Sequence, residues 1–272
     1  MDLITSTRMY DVAPAARAAW HALLQAAHAS AGLKVRFVEH GWPTPIGELW
    51  ERPGLCGVFM CGWPYVNALQ AGRAFAAVAA VVPDWPAYEG LPRYRSEFLV
   101  RADCGWSSLA DAAGSRYGWM VRDSQSGWNA PRAALARLAA AGGSLFAASK
   151  GPYGNPRGLL RALADGEIDL TAADSWYLDL LRAHDPAALA GLRTLAYTPW
   201  TPNPLVVSGP DVAPAATQAL SDALLAMHEN PAHQPLLRAA HVARFARPDP
   251  AAYSVLGDMA QAAVTAGYPE IR

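Results

Sequence analysis

The chain is short of charge, of cysteine and of long apolar runs, and each shortage removes a class of function. Charged residues make up 17 % of its 272 positions, and 22 Lys and Arg against 23 Asp and Glu leave a formal charge of -1. No cluster of Lys and Arg forms a stripe that could neutralise a phosphate backbone, so no nucleic-acid partner is expected. Cys56, Cys61 and Cys104 make neither a Cys-x-x-Cys pair nor an even framework, which leaves buried free thiols rather than a thiolate metal site or a disulfide scaffold. No apolar run is long enough to span a bilayer. The opening MDLITSTRMYDVAP has no basic region before an apolar core, so no export signal is visible in the chain.

Catalytic and metal signatures are missing too. There is no His-Glu-x-x-His, no acidic calcium loop and no Gly-x-x-x-x-Gly-Lys-Ser/Thr, so neither a metal nor a cofactor is expected. The turn around Ser126 lacks the glycine two residues earlier that a nucleophile elbow requires. His21 and His28 fall in the first expected helix and His228, His233 and His241 in the last ones, away from strand ends where a base would sit. A hydrolase therefore has little support.

What is present is apolar: 52 % hydrophobic residues can fill the cores of one large or two medium domains. The pattern predicts a strand over Leu3–Met9, a helix from Pro14 to Ser30, a strand over Leu33–Val38, a short helix over Thr44–Trp50 and a buried parallel strand over Leu55–Met60. A βα junction follows at Gly62-Trp63-Pro64-Tyr65, the kind of place where α/β folds seat ligands, and Phe75–Val82 reads as the next strand. Pro83–Pro92 breaks the pattern as a crossover. Strands over Tyr94–Arg101, Tyr117–Val121 and Ile168–Ala173 come next, with helices from Ala130, Leu159 and Trp176. Tyr197–Pro204 is a second, proline-stiffened crossover. The last helices, Ala213–Met227, Gln234–Phe245 and Ala251–Ala266, are expected on the starting domain. The expected architecture is α/β with two lobes, each a mostly parallel sheet flanked by helices: residues 1–90 and 200–272 in one, 91–199 in the other.

The segment from Arg122 to Leu138 organises this reading. An apolar strand end, the polar run Asp123-Ser124-Gln125-Ser126-Gly127 and then strong helix formers imply a helix whose first N–H groups lack partners at the positive end of the peptide dipole. Such a turn can seat an oxyanion; equally, Ser124 or Ser126 can serve only as an N-cap. Asp174-Ser175, opening the Trp176 helix, repeats the design.

Taken in order, Cys61-Gly62-Trp63-Pro64-Tyr65, Tyr94-Arg95-Ser96 opening a strand that ends at Val100-Arg101, Asp123-Ser124-Gln125-Ser126-Gly127, and Gly166-Glu167-Ile168-Asp169 running into Asp174-Ser175 resemble the phosphate, phosphite and phosphonate substrate-binding proteins of ABC transporters. The resemblance spans nearly the whole chain. It implies a type 2 periplasmic binding fold, with two lobes joined by two strands and closing over a ligand. It further implies oxyanion contacts from Ser124, Gln125 and Ser126, an aromatic hydroxyl from Tyr94, an acidic group at Asp174, and an ABC permease as partner. Asp174 has the wrong sign for an anion but can accept the proton of a monoprotonated oxyanion or pair with a ligand amine; it can also be a helix cap. One departure stands out. Asn155-Pro156 lies where relatives carry Ser-His, and proline cannot donate; Arg157 or Lys150 could restore the charge and Tyr153 a hydroxyl.

Trp42, Trp63, Tyr65, Trp176 and Trp200 all fall at expected strand ends, loops or helix starts. They suit core plugs, or a ligand with a stacking part or a cation set on a ring face. The expected function is a monomeric solute-binding protein gripping a small anionic ligand with Ser124–Gly127, Tyr94, Asp174, Trp63, Tyr65, Trp42 and Asn155. The alternative is a small-molecule enzyme or an intracellular sensor on the same scaffold.

Overall fold

The computed structural model describes residues 2–139 and 143–272. The chain forms two compact units, Met1–Arg93 with Pro202–Ala252, and Tyr94–Thr201 with Tyr253–Arg272.

The first unit runs β1 (Leu3–Thr5), α1 (Pro14–Ser30), β2 (Val35–Phe37), α2 (Ile46–Trp50), β3 (Cys56–Met60), α3 (Gly62–Gln70) and β4 (Ala76–Pro83), and leaves through β5 (Arg93–Tyr94). Proline at the start of α1 presets φ and needs no N–H, while Trp20, Leu23, Leu24 and Ala27 recur at helical spacing and are buried.

The second unit holds β6 (Ser96–Arg101), β7 (Arg116–Gly118), a π-helical turn at Gln125–Asn129 continued by α4 (Ala130–Leu135), β8 (Ala148–Lys150), α5 (Pro156–Ala164), β9 (Leu170–Asp174), α6 (Ser175–His184) and β10 (Leu192–Tyr197). The chain returns through β11 (Thr201–Pro202), which pairs with β5. It then adds β12 (Leu205–Ser208), α7 (Pro214–Ala226), α8 (Gln234–Ala239) and β13 (Val242–Ala246) to the first unit and α9 (Ser254–Thr265) to the second.

Strand direction departs from the expected mostly parallel sheets. In the first unit the order is β13-β4-β12-β3, and the returning β12 runs antiparallel between β3 and β4, with Leu205 opposite both Met60 and Ala80. The small β1–β2 pair is parallel there, as is the single bridge between Ile4 and Leu55. In the second unit the order is β10-β6-β9-β7-β8; β7 is parallel to β8 and β9, whereas β6 is antiparallel to β9 and β10. β12, which follows the return to the first unit, and β6, which carries the chain into the second, each run antiparallel to both of their neighbours.

Two further expectations are corrected. Gln234–Phe245 is not one helix: α8 ends at Ala239, His241 takes a positive φ of 54, and Val242–Ala246 becomes an edge strand that buries Val242 and Phe245. The C-terminal helix does not belong with the starting domain. Ala263, Tyr268 and Ile271 join Phe98, Val100, Tyr117, Trp128 and Leu170 in the core of the second unit. Burying Ala263 on α9, with Tyr268 and Ile271 just after it, fixes the helix there; Ile271 alone contributes on the order of 1.5–3 kcal/mol when removed from water.

Candidate anion-binding site

Because β7, β8 and β9 are parallel, their carboxyl ends share one edge of the second unit's sheet, and the helix after each begins at that edge. This is where open α/β sheets place ligands. Each of these helix starts carries a polar cap. Ser124 Oγ accepts from the Gly127 N–H at 2.9 Å, Asn155 Oδ1 from the Gly158 N–H at 2.9 Å, and Asp174 Oδ1 from the N–H groups of Trp176 and Tyr177 at 2.7 and 3.0 Å. The caps satisfy amides that would otherwise be orphaned.

At the first junction the capping leaves something over. Ser126 is buried to 6 % exposure, and neither its backbone N–H nor its hydroxyl has a hydrogen-bond partner among the described residues. The hydroxyl is not sealed off from solvent. A donor pair held at a helix start, half enclosed and unused, suits an oxyanion. The turn is wound as a π-helix, with the Ala130 N–H reaching the Gln125 carbonyl, and such turns recur at functional sites.

The other members of the segment are spent internally. Gln125 is fully buried; its Oε1 accepts from Asn129 Nδ2 at 2.8 Å and its Nε2 faces Met259 Sδ at 3.5 Å. The Asn129 amide also reaches the Leu256 carbonyl at 2.9 Å, tying the turn to α9. Gly127 has given its N–H to Ser124, and a Cβ there would stand 2.7 Å from Met120 Cβ, so close packing accounts for the glycine. Gly158 is required likewise, since its Cβ would meet the Tyr153 carbonyl oxygen at 2.7 Å.

The remaining expected contacts divide. Asp174 has one carboxylate oxygen committed to two amides, the capping role. Asn155 caps α5, and the residues that could have replaced the missing charge beside it are engaged elsewhere: Arg157 with Asp185 at 2.6 Å, Lys150 with the Glu167 carbonyl at 3.0 Å, and the Tyr153 hydroxyl with Glu167 at 3.4 Å. Tyr94 is buried at the entry to the unit. Trp176 is a core plug at 0 % exposure. Trp42, Trp63 and Tyr65 belong to the first unit; Trp42 is 55 % exposed, Trp63 half-buried on α3, and Tyr65 buried, which pushes its phenol above the usual range. The cation expected on a ring face is the protein's own: the Arg95 guanidinium lies 4.4 Å from the Trp200 centroid and 3.6 Å from that of Tyr197. Nothing in the residue pattern had singled out Arg95 or Tyr197 as site residues.

Acidic side chains at both ends of this sheet are paired with arginines. Asp169, before β9, accepts from Arg116 Nε at 2.8 Å and Nη2 at 2.7 Å, and these bonds hold its carboxyl down at about 2. The buried Glu97 takes both Arg182 Nη1 and Nη2, at 3.0 and 2.8 Å, which clamps α6 to β6 and raises the arginine above its ordinary value. Among the described residues no group of three or more His, Cys, Asp and Glu could hold a metal, and no helix is long and apolar enough to cross a membrane.

Two α/β units connected by paired crossing strands, with ligand-type junctions at strand ends, define a type 2 periplasmic binding protein. Solved structures agree on the fold. A binding-protein component of an ABC phosphonate transporter from Pseudomonas aeruginosa superposes with a TM-score of 0.80 at 14 % identity, over 97 % of this chain and 87 % of that one. PhnD1 from Prochlorococcus marinus, in complex with methylphosphonate, gives 0.73 at 16 % identity over 95 % and 97 %. A Xanthomonas citri protein bound to ATP gives 0.66 at 17 % identity over 98 % and 99 %. A search of curated proteins gives no match. The family model for the periplasmic substrate-binding protein of phosphonate ABC transporters matches residues 58–253, and the chain belongs to that family. It is therefore the solute-binding component of an ABC-type uptake system, the part that serves a small ligand and a permease.

Proposed function

We propose that the protein captures a small phosphonate or phosphate-like anion on the Ser126 amide and hydroxyl, at a turn that Ser124 caps from within. The observation that carries this reading is the pair of unused donors on a buried residue at a helix start. A hydrogen bond to a charged acceptor is worth about 1.5–3 kcal/mol, so two of them fix the anionic group firmly. Methylphosphonate, the ligand in the PhnD1 structure, is the first probe.

Capture follows when the ligand binds one conformation of the protein better than the others and draws the population toward it. The protein acts as a monomer, without chemistry on its ligand and without nucleic acid. Thermal unfolding with methylphosphonate, phosphate and phosphite tests the reading: a ligand at 100 times its dissociation constant adds about 2.7 kcal/mol to stability. Absence of any shift with all these anions would refute it, and turnover of a bound ligand would favour the enzyme.

A further inference from the structure

Arg95 sits at the sheet edge where the candidate site lies. The β6–β9 register places Ser96 opposite Asp174. One residue earlier, Arg95 is pinned to the start of α6, its N–H reaching Ser175 Oγ at 3.3 Å and its carbonyl accepting from the Ser175 N–H at 2.9 Å. Its backbone is thus fixed beside the Asp174 cap.

Its side chain differs from the unit's other structural arginines. Arg101, Arg116, Arg157 and Arg182 pair with Asp169, Asp185 or Glu97. The Arg95 guanidinium stacks on Tyr197 and Trp200, and among the described residues it has neither a carboxylate partner nor a hydrogen-bond acceptor. Aromatic faces orient a guanidinium without neutralising it, and they leave the fork of N–H donors at its rim open. Arg95 is half-buried, so this is a positive charge held in place rather than one left to wander in solvent.

We propose that Arg95 is the specificity residue for a second anionic group on the ligand, so that the protein prefers a phosphonate bearing a carboxylate over one bearing an amine. The proposal rests on the anion seat at Ser126. The planar fork donates two N–H groups side by side to a carboxylate, while its charge repels an ammonium. Asp174, which would otherwise attract an amine, has one of its oxygens occupied by two backbone amides. An alkyl-only phosphonate needs only the seat.

Isothermal titration of the full chain with methylphosphonate, phosphonoacetate and 2-aminoethylphosphonate tests this. The expected order is phosphonoacetate tightest, by at least about tenfold over methylphosphonate, with 2-aminoethylphosphonate weakest. Arg95→Gln should erase the phosphonoacetate preference and leave methylphosphonate within about threefold; Arg95→Lys, which keeps the charge and loses the planar fork, should retain part of it. Near-UV circular dichroism checks that both variants keep the native packing. An unchanged phosphonoacetate-to-methylphosphonate ratio in a folded Arg95→Gln, or a wild-type preference for the amine, overturns the role of Arg95 and leaves the seat standing. If none of the three binds the wild type, the seat fails and the specificity proposal falls with it.

Discussion

The helices of the two units begin in different ways. In the second unit the helical segments that follow parallel strands open on Ser124, Asn155 and Asp174, each accepting backbone N–H groups through its side chain. In the first unit α1, α2, α3 and α7 open on Ala13, Pro45, Cys61 and Ala213, with no side-chain cap bond. Proline stands within the first two positions of α1 and α7. These starts rely on preset φ and on water for their amides. Caps in the second unit fix the loops along one sheet edge, and that rigidity lets a single turn leave the Ser126 donors unused inside a folded protein. A seat for an anion is thus made by what the caps do not take.

Substitutions at these helix starts separate the open seat from the caps around it. The largest effect is expected from Ser126→Trp, which fills the seat: methylphosphonate affinity should fall by about 100-fold or more, measured by calorimetry. Ser126→Ala removes only the hydroxyl and should cost about tenfold, with the melting temperature nearly unchanged because that hydroxyl bonds to no described residue. Unaltered affinity in both variants would reduce Ser126 to a bystander. Next comes Gly127→Ala, which drives a Cβ to 2.7 Å from Met120 Cβ; urea unfolding should show a loss of about 1–3 kcal/mol.

Cap changes should be smaller and of opposite sign in the two units. Asn155→Ala is expected to cost about 1 kcal/mol, whereas Ala13→Ser, at an extended position with no existing cap bond, should gain a few tenths to about 1 kcal/mol. Equal and opposite results would establish that the units differ in how their helix starts are held.

Acid should find the units at different pH. His28, buried in the first unit, has Nδ1 2.7 Å from the Leu24 carbonyl and Nε2 3.1 Å from the Cys56 carbonyl. Burial outweighs those carbonyls and lowers its pKa below 6.5. The unfolded chain then takes up the proton first, so stability of the first unit declines as pH drops below about 6.5. Asp169 in the second unit has its carboxyl lowered from 3.8 to about 2 by Arg116. Its contribution is intact above the unfolded value and is lost as pH falls from about 3.8 to about 2. Unfolding midpoints measured stepwise from pH 7.5 to 2.5, with His28→Gln removing the earlier decline and Asp169→Asn the later one, check both signs.

Much of the fold was legible because it rests on local patterns. Pro14–Ser30 was bounded by proline and by helical spacing of apolar residues, and Phe75–Val82 by its apolar strand composition, realised as Ala76–Pro83. The antiparallel entry of β12, the conversion of Val242–Ala246 into an edge strand and the placement of α9 depend on which distant surface buries them, and no local pattern encodes that. At the candidate site, the turn at Ser124–Gly127 could be found from its composition, but which serine caps and which stays open is decided by the π-helical winding. The Arg95 stack joins residues about a hundred positions apart, and the long-range β6–β10 and β5–β11 pairings bring them together.

The most direct measurement is the amide spectrum of 15N-labelled protein titrated with methylphosphonate. A direct hydrogen bond to the anion should move the Ser126 amide resonance strongly downfield and in saturable fashion, with smaller shifts at its capped neighbours Gly127, Trp176 and Tyr177. Saturable binding with the Ser126 resonance unmoved would place the anion elsewhere and contradict the account.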